Sequence, residues 1–216
     1  LLPAAVAAAS WPACSAGDGP LVAFLGDSLT SGWRLPEEEA YPALVARALA
    51  ARGRPIRVVN AGVSGDTAAQ GLARLPGVLE LRPDVIVVAL GANDGLGPGS
   101  LEEAEAALGR IVLEARARGA RVLLVGIRLG VGAAAPRVGA RAGDEERASR
   151  LTEMYARLAA THRVPFVPDL LAGVAGEAEL LFPDRLHPNA AGQQRLAQNV
   201  LPPLELVLAE VGAGKS

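Results

Sequence analysis

Residues 20–32 read PLVAFLGDSLTSG. Five consecutive apolar residues, LVAFL (21–25), run straight into glycine, a carboxylate and hydroxyl residues. A short run that is apolar on every position, rather than on alternate ones, marks a strand buried on both faces. Four further runs repeat the pattern: IRVVN (56–60), DVIVVAL (84–90), RVLLVGI (121–127) and VPFVP (164–168). Strands buried on both faces belong to a parallel sheet covered by helices on each side.

The segments between these runs carry helix signatures. EEEAYPALVARALAARG (37–53) begins acidic after Pro36 and ends basic before Gly53, which matches the helix macrodipole and predicts one helix over the whole stretch. Ser100-Leu-Glu-Glu103 has the form of a capping box, and the helix it opens closes on Arg116-Ala-Arg118-Gly119. Asp144 opens another helix, DEERASRLTEMYARLAATH. A final helix is expected from about Asn189 to Leu208, bent or broken at Pro202-Pro203. Alternation of this kind predicts an α/β doubly wound fold, with three α/β/α layers around a five-stranded parallel sheet.

Composition bounds the chemistry. The chain has 216 residues, half of them hydrophobic, and a net charge of −2. It is long enough for one domain with a sizeable core, and no shift of composition marks a second; residues 20–216 are read as that domain. Lys+Arg 21 against Asp+Glu 23 leaves no basic surplus for nucleic acid or an anionic membrane. One cysteine, Cys14, excludes a disulfide framework. Two histidines, His162 and His187, exclude a multi-histidine zinc site, and no metal or cofactor is expected.

Residues 1–19 are read as a truncated export leader or a mobile tail. The apolar, Ala-rich run LLPAAVAAASWPAC (1–14) is too short to span a bilayer and fits the core and cleavage zone of a secretory signal. Export to the periplasm or medium is therefore expected, without stable membrane insertion, with a cytoplasmic location as the alternative. Trp11 stands where a lipoprotein cysteine would need a small aliphatic residue.

The ends of the strand runs carry the polar residues. Ser28 follows the first run, Gly65 and Asp66 the second, Asn93 and Asp94 the third. Taken singly, a serine or an Asp-Thr pair after a strand is an ordinary cap or turn. Gly95-Leu-Gly97-Pro-Gly99 fails as a dinucleotide fingerprint, because its spacing is wrong and Pro98 interrupts it. Late in the chain, Asp184 precedes His187 by three residues, with Pro188 fit for a first helical turn. That spacing lets the carboxylate accept the Nδ1–H of the imidazole and leaves Nε2 free to act as a base. His162, at a helix-to-strand junction with no carboxylate nearby, is read as structural.

The four blocks together, GDSL (26–29), SGDT (64–67), GAND (91–94) and DRLHP (184–188), resemble the SGNH hydrolases, also called the GDSL esterase family. The resemblance spans roughly residues 20–205 and is tightest in NAGVSGDTAAQGLARLP (60–76) and ALGANDGL (89–96). These stretches look like the bacterial lysophospholipase L1/acyl-CoA thioesterase I/arylesterase branch.

The resemblance implies a flavodoxin-like SGNH fold and a serine hydrolase. It would act on ester or thioester bonds of small acyl, aryl or lysophospholipid substrates through an acyl-enzyme. Ser28 would be the nucleophile, His187 the general base and Asp184 its orienting carboxylate. The oxyanion would rest on the backbone N–H groups of Ser28 and Gly65 and the amide of Asn93. Substrate contacts are expected at Leu29, Asp66, Leu96, Leu129 and Gly130, while Asp27 and Asp94 are assigned to turn structure. The enzyme is expected to be a monomer needing only its small-molecule substrate. The alternatives are a carbohydrate acetylesterase or acyltransferase using the same site, and a non-enzymatic flavodoxin-like binding module. One departure is the Gly/Ala-rich segment 130–143, longer than in that branch and expected to be a mobile lid over the acyl pocket.

Overall fold

The computed structural model describes residues 19–129 and 144–213. Segments 1–18 and 130–143, to which the leader and lid expectations mostly or wholly refer, and the substrate contact Gly130 lie outside the described residues. Five parallel strands form one sheet: β1 (Leu21–Gly26), β2 (Arg57–Gly62), β3 (Val85–Ala89), β4 (Arg121–Val125) and β5 (Phe166–Val167). Their spatial order is β2-β1-β3-β4-β5, the flavodoxin-like arrangement of a doubly wound sheet.

The helices cover both faces. α1 (Ser28–Ser31) is a single turn after β1, and α2 (Tyr41–Ala51) leads to β2. α3 (Ala68–Glu80), α4 (Ala92–Leu96), α5 (Leu101–Ala117), α6 (Asp144–His162) and α7 (Ala190–Ala213) follow in order. α3, α5 and α6 pack together on one face, with α2 and α7 on the other. Every residue of β1 and β3 is buried, as expected for central strands running between two helical layers.

Capping follows the residues. The Ser100 hydroxyl accepts from the N–H groups of Glu102 and Glu103 and starts α5. Thr67 and Gln70 form a reciprocal capping box at the start of α3.

Prolines account for the departures from the expected elements. The helix over 37–53 is divided: Glu37–Glu39 form a 3₁₀ turn, Ala40 is extended, and α2 starts at Tyr41. Pro42 has no N–H and would clash inside a continuous helix, so it is accommodated in the first turn of a new one. VPFVP contributes only two residues to β5, because Pro165 and Pro168 cannot donate to the ladder. Conversely, α7 is not broken at Pro202-Pro203 and continues to Ala213. Buried Val200, Leu201, Leu204 and Leu208 on either side of the prolines hold the helix to the core.

Strand register sets where the polar loops emerge. Gly26 is level with Gly62 on one side and Ala89 on the other, so the chain leaves three adjacent strands at one edge. The close approach there requires a residue without a side chain: a Cβ on Gly62 would lie 2.3 Å from the backbone nitrogen of Ser31.

Beneath this edge lies a buried polar layer. Gln193 of α7 donates from Nε2 to the Leu29 carbonyl (3.1 Å) and accepts the Tyr41 N–H (2.8 Å). Thr30 and Tyr41 share a hydrogen bond of 3.0 Å between their hydroxyls. Asp27 Oδ1 accepts the Leu29 N–H (2.9 Å), whereas its buried Oδ2 has no partner among the described residues. Burial, opposed by that backbone hydrogen bond and assisted by the charges of Asp66 and Asp94, pushes the Asp27 carboxyl up to about 7. Burial also raises Asp94, against the hydrogen bond it accepts from Ala68.

Two outcomes follow for stability. From 3.8, the ordinary Asp value, up to about 7 the folded chain binds the Asp27 proton more tightly than the unfolded chain does. This group therefore makes stability fall as pH rises through that window. In Asp27→Asn, where Oδ1 can still accept from Leu29, urea midpoints should gain on wild type steadily from pH 4 to 7; a pH-independent difference would contradict the assignment. Gly62→Ala drives a methyl into the Ser31 backbone and should cost about 1–3 kcal/mol in urea unfolding, whereas an unchanged midpoint would show that this edge is not tightly packed.

Candidate active site

The turn after β1 presents Ser28. Asp27 caps α1 through Leu29, the Ser31 N–H bonds to the Asp27 carbonyl (2.9 Å), and Gly32 closes the turn in the left-handed conformation, φ 71°. Glycine adopts that conformation without the Cβ penalty that other residues carry there. A Cβ on Gly32 would also lie 2.7 Å from that of Ala40.

His187 reaches this serine from the loop before α7. Its Nε2 lies 3.0 Å from Ser28 Oγ, and its Nδ1 lies 2.9 Å from Asp184 Oδ2. The other carboxylate oxygen of Asp184 accepts the N–H groups of Leu186 and His187, each at 3.0 Å. Partial burial pushes the Asp184 carboxyl up, but these backbone bonds and the imidazole outweigh it and hold the group below the ordinary carboxylate range. An ionised Asp184 accepts only, so Nδ1 carries the proton and Nε2 is left as the acceptor for the serine hydroxyl.

Three residues with N–H groups to offer line the same cavity: Ser28, Gly65 and Asn93. The N–H groups of Ser28 and Gly65 make no hydrogen bond among the described residues. Gly65 has φ 87°, which turns its peptide out of the regular loop path. Asn93 uses one amide hydrogen on the Asp66 carbonyl (2.9 Å), and the second has no partner among the described residues.

Two arginines hold these donors in place. Arg74 is paired with the Asp66 carboxylate at 2.6 Å and also donates to the Ala61 and Gly26 carbonyls. Arg147 of α6 donates to the carbonyls of Asp94, Gly95 and Gly99, fixing α4 and the loop after it.

The cavity has a volume of about 300 Å³, and Ser28, Gly65, Asn93 and His187 are among the residues that line it. Leu29, Leu96 and Leu129, expected as substrate contacts, line it together with Ile127, Leu171 and Leu186. Asp66 does not line it: the carboxylate is buried and paired with Arg74, and only its backbone serves the site, through Asn93. His162 lies away from the cavity, its ring packed near Gly109. Sequence reading missed Trp33, which lines the cavity and stacks on His187 with ring centroids 4.2 Å apart. It also missed Leu186, although this residue sits inside the DRLHP block.

Among the described residues, no cluster of three His, Cys, Asp or Glu is placed to hold a metal ion. No described helix is long and apolar enough to cross a membrane.

A polarised serine, an oriented imidazole and free N–H donors around an apolar cavity can carry out acyl transfer. Similarity to known proteins agrees with this chemistry. The model of the GDSL-like lipase/acylhydrolase family matches residues 24–195. Esterase TesA of Pseudomonas aeruginosa is 38% identical over 185 residues, 85% of this chain and 87% of that protein. Thioesterase 1/protease 1/lysophospholipase L1 of Escherichia coli K12 is 35% identical, over 80% of this chain and 77% of its own length. The crystal structure of TesA superposes with a TM-score of 0.79 at 37% identity, covering 87% of this chain and 99% of that one. The chain belongs to the GDSL-like lipase/acylhydrolase family, the SGNH hydrolases.

Proposed function

We propose that this acylhydrolase cleaves carboxylic ester and thioester bonds of small acyl, aryl or lysophospholipid substrates through an acyl-enzyme on Ser28. The observation that carries the reading is the unbroken Asp184–His187–Ser28 relay, with bonds of 2.9 and 3.0 Å, opening on a cavity with unused N–H donors.

Ser28 Oγ attacks the carbonyl carbon while its proton passes to Nε2 of His187. The carbonyl oxygen, now negative, is held by the N–H groups of Ser28 and Gly65 and the free amide hydrogen of Asn93. Collapse of the tetrahedral species expels the alcohol or thiol, which takes the proton from Nε2. Water then gives a proton to the same nitrogen and attacks the acyl carbon, and Ser28 leaves with its proton restored. Asp184 keeps the ring in one tautomer throughout.

The apolar walls, Ile127, Leu129 and Leu171 among them, suit an acyl or aryl group. All the groups of the relay lie within residues 20–216 of one chain, so the proposed single-domain monomer suffices for the chemistry. The apolar segment 1–14 supports export.

Ser28→Ala should abolish hydrolysis of a short p-nitrophenyl ester while the circular dichroism spectrum and thermal midpoint stay unchanged; turnover at the wild-type rate would contradict the assignment. Asn93→Ala should lower kcat by roughly 10²–10³ with a smaller change in KM, and a pure KM effect would remove Asn93 from the oxyanion site. A panel of aryl esters, acyl-CoA thioesters, lysophospholipids and glycan acetates with and without alcohol acceptors separates hydrolysis from acyl transfer.

A further inference from the structure

We propose that Trp33 is a positioning residue for His187: a flat indole clamp that keeps the imidazole in the plane defined by Asp184 and Ser28. The inference rests on the reading of His187 as the general base.

Two hydrogen bonds hold His187, one at each ring nitrogen: Nδ1 to Asp184 at 2.9 Å and Nε2 to Ser28 at 3.0 Å. They fix the line through Nδ1 and Nε2 but leave the ring free to rock about it. A rock of that kind turns the Nδ1–H bond away from Asp184 and the Nε2 lone pair away from the Ser28 hydroxyl, and proton transfer from Ser28 depends on that alignment. The Trp33 ring blocks the motion from one face, lying 4.2 Å away at an interplanar angle of 26°.

Trp33 is itself held on several sides. The Phe182 ring makes a T-shaped contact with it, centroids 5.9 Å apart at 83°, and the Arg34 guanidinium lies 4.4 Å over the indole. Its backbone N–H donates to the Ser28 carbonyl at 3.2 Å, so nucleophile and clamp belong to one turn. Phe182 and His187 are likewise tied, the Phe182 N–H donating to the His187 carbonyl at 2.8 Å. The turn that carries the nucleophile thus grips the loop that carries the base at a polar and an aromatic contact.

Trp33 also lines the cavity, so the competing explanation is that it serves only as a wall against substrate. The two separate cleanly. A wall residue, when truncated, raises KM with kcat preserved; a clamp lowers kcat with KM nearly preserved.

The chain has only two histidines, so the imidazole signals of the intact protein are assignable by nitrogen-15 NMR with His162→Gln as reference. In Trp33→Ala we expect faster exchange of the His187 Nδ1–H with water and a fall in kcat of about 10- to 100-fold, with KM kept within about threefold. Trp33→Phe should restore both readouts most of the way, because it returns a flat face. Trp33→Leu, which fills volume without a flat face, should resemble the alanine variant and carries the same test if that variant does not fold. Unchanged Nδ1–H exchange, or a KM effect alone, overturns the proposal. Faster exchange with kcat unchanged instead overturns the reading of His187 as the base.

Discussion

The hydrogen bond between Ser28 Oγ and His187 Nε2 joins residues 159 positions apart in the chain, and much of the fold serves to hold its two ends. On the serine side, β1 is level with β2 and β3, and the Asp27 cap and left-handed Gly32 bring the hydroxyl above the sheet edge. On the histidine side, Asn189 accepts from Ala191 and Gly192 to start α7 and donates to the Glu179 and Leu181 carbonyls. Gln193, one turn further along α7, is buried and donates to the Leu29 carbonyl. Its amide sets the distance between the helix that follows the base and the turn that carries the nucleophile.

The same edge concentrates polar groups that a stability-optimised core would avoid. Asp27, Asp66 and Asp94 are all buried within a small region. Arg74 compensates Asp66, a backbone N–H and the Arg147 charge offset part of the cost at Asp94, and one oxygen of Asp27 is left without a partner among the described residues. An unmatched buried carboxyl costs free energy whether it stays ionised or takes up a proton. Keeping three acids behind a nucleophilic turn is the kind of local conflict found at functional sites rather than in ordinary cores.

How much was legible in the sequence varies with the range of the interactions involved. All five strand runs were recognisable: the central strands β1 and β3 are buried and apolar at nearly every position, and β2, β4 and β5 still carry consecutive apolar residues. The caps at Ser100 and Thr67 depend on residues within three positions and were equally readable. Proline effects were harder, since their outcome depends on what surrounds them: Pro42 restarts a helix, whereas Pro202 and Pro203 are absorbed into a well-packed one. At the site, Asp184 and His187 were visible from their spacing, but the side chain of Asp66 faces Arg74 instead of the cavity. A carboxylate in a glycine-rich loop gives no sign of which way it turns. Trp33 stacks on a residue far away in the chain, and no local pattern records such a contact.

The central claim is that acyl transfer passes through a covalent bond to Ser28. The most direct measurement is intact-protein and peptide mass spectrometry after acid quenching of the enzyme during turnover of an activated ester with a slowly hydrolysed acyl group. The account predicts a single added acyl mass located on the peptide that contains Ser28, appearing with the burst of leaving group and absent in Ser28→Ala. Turnover with no adduct under conditions that produce a burst, or an adduct on a residue other than Ser28, would contradict it.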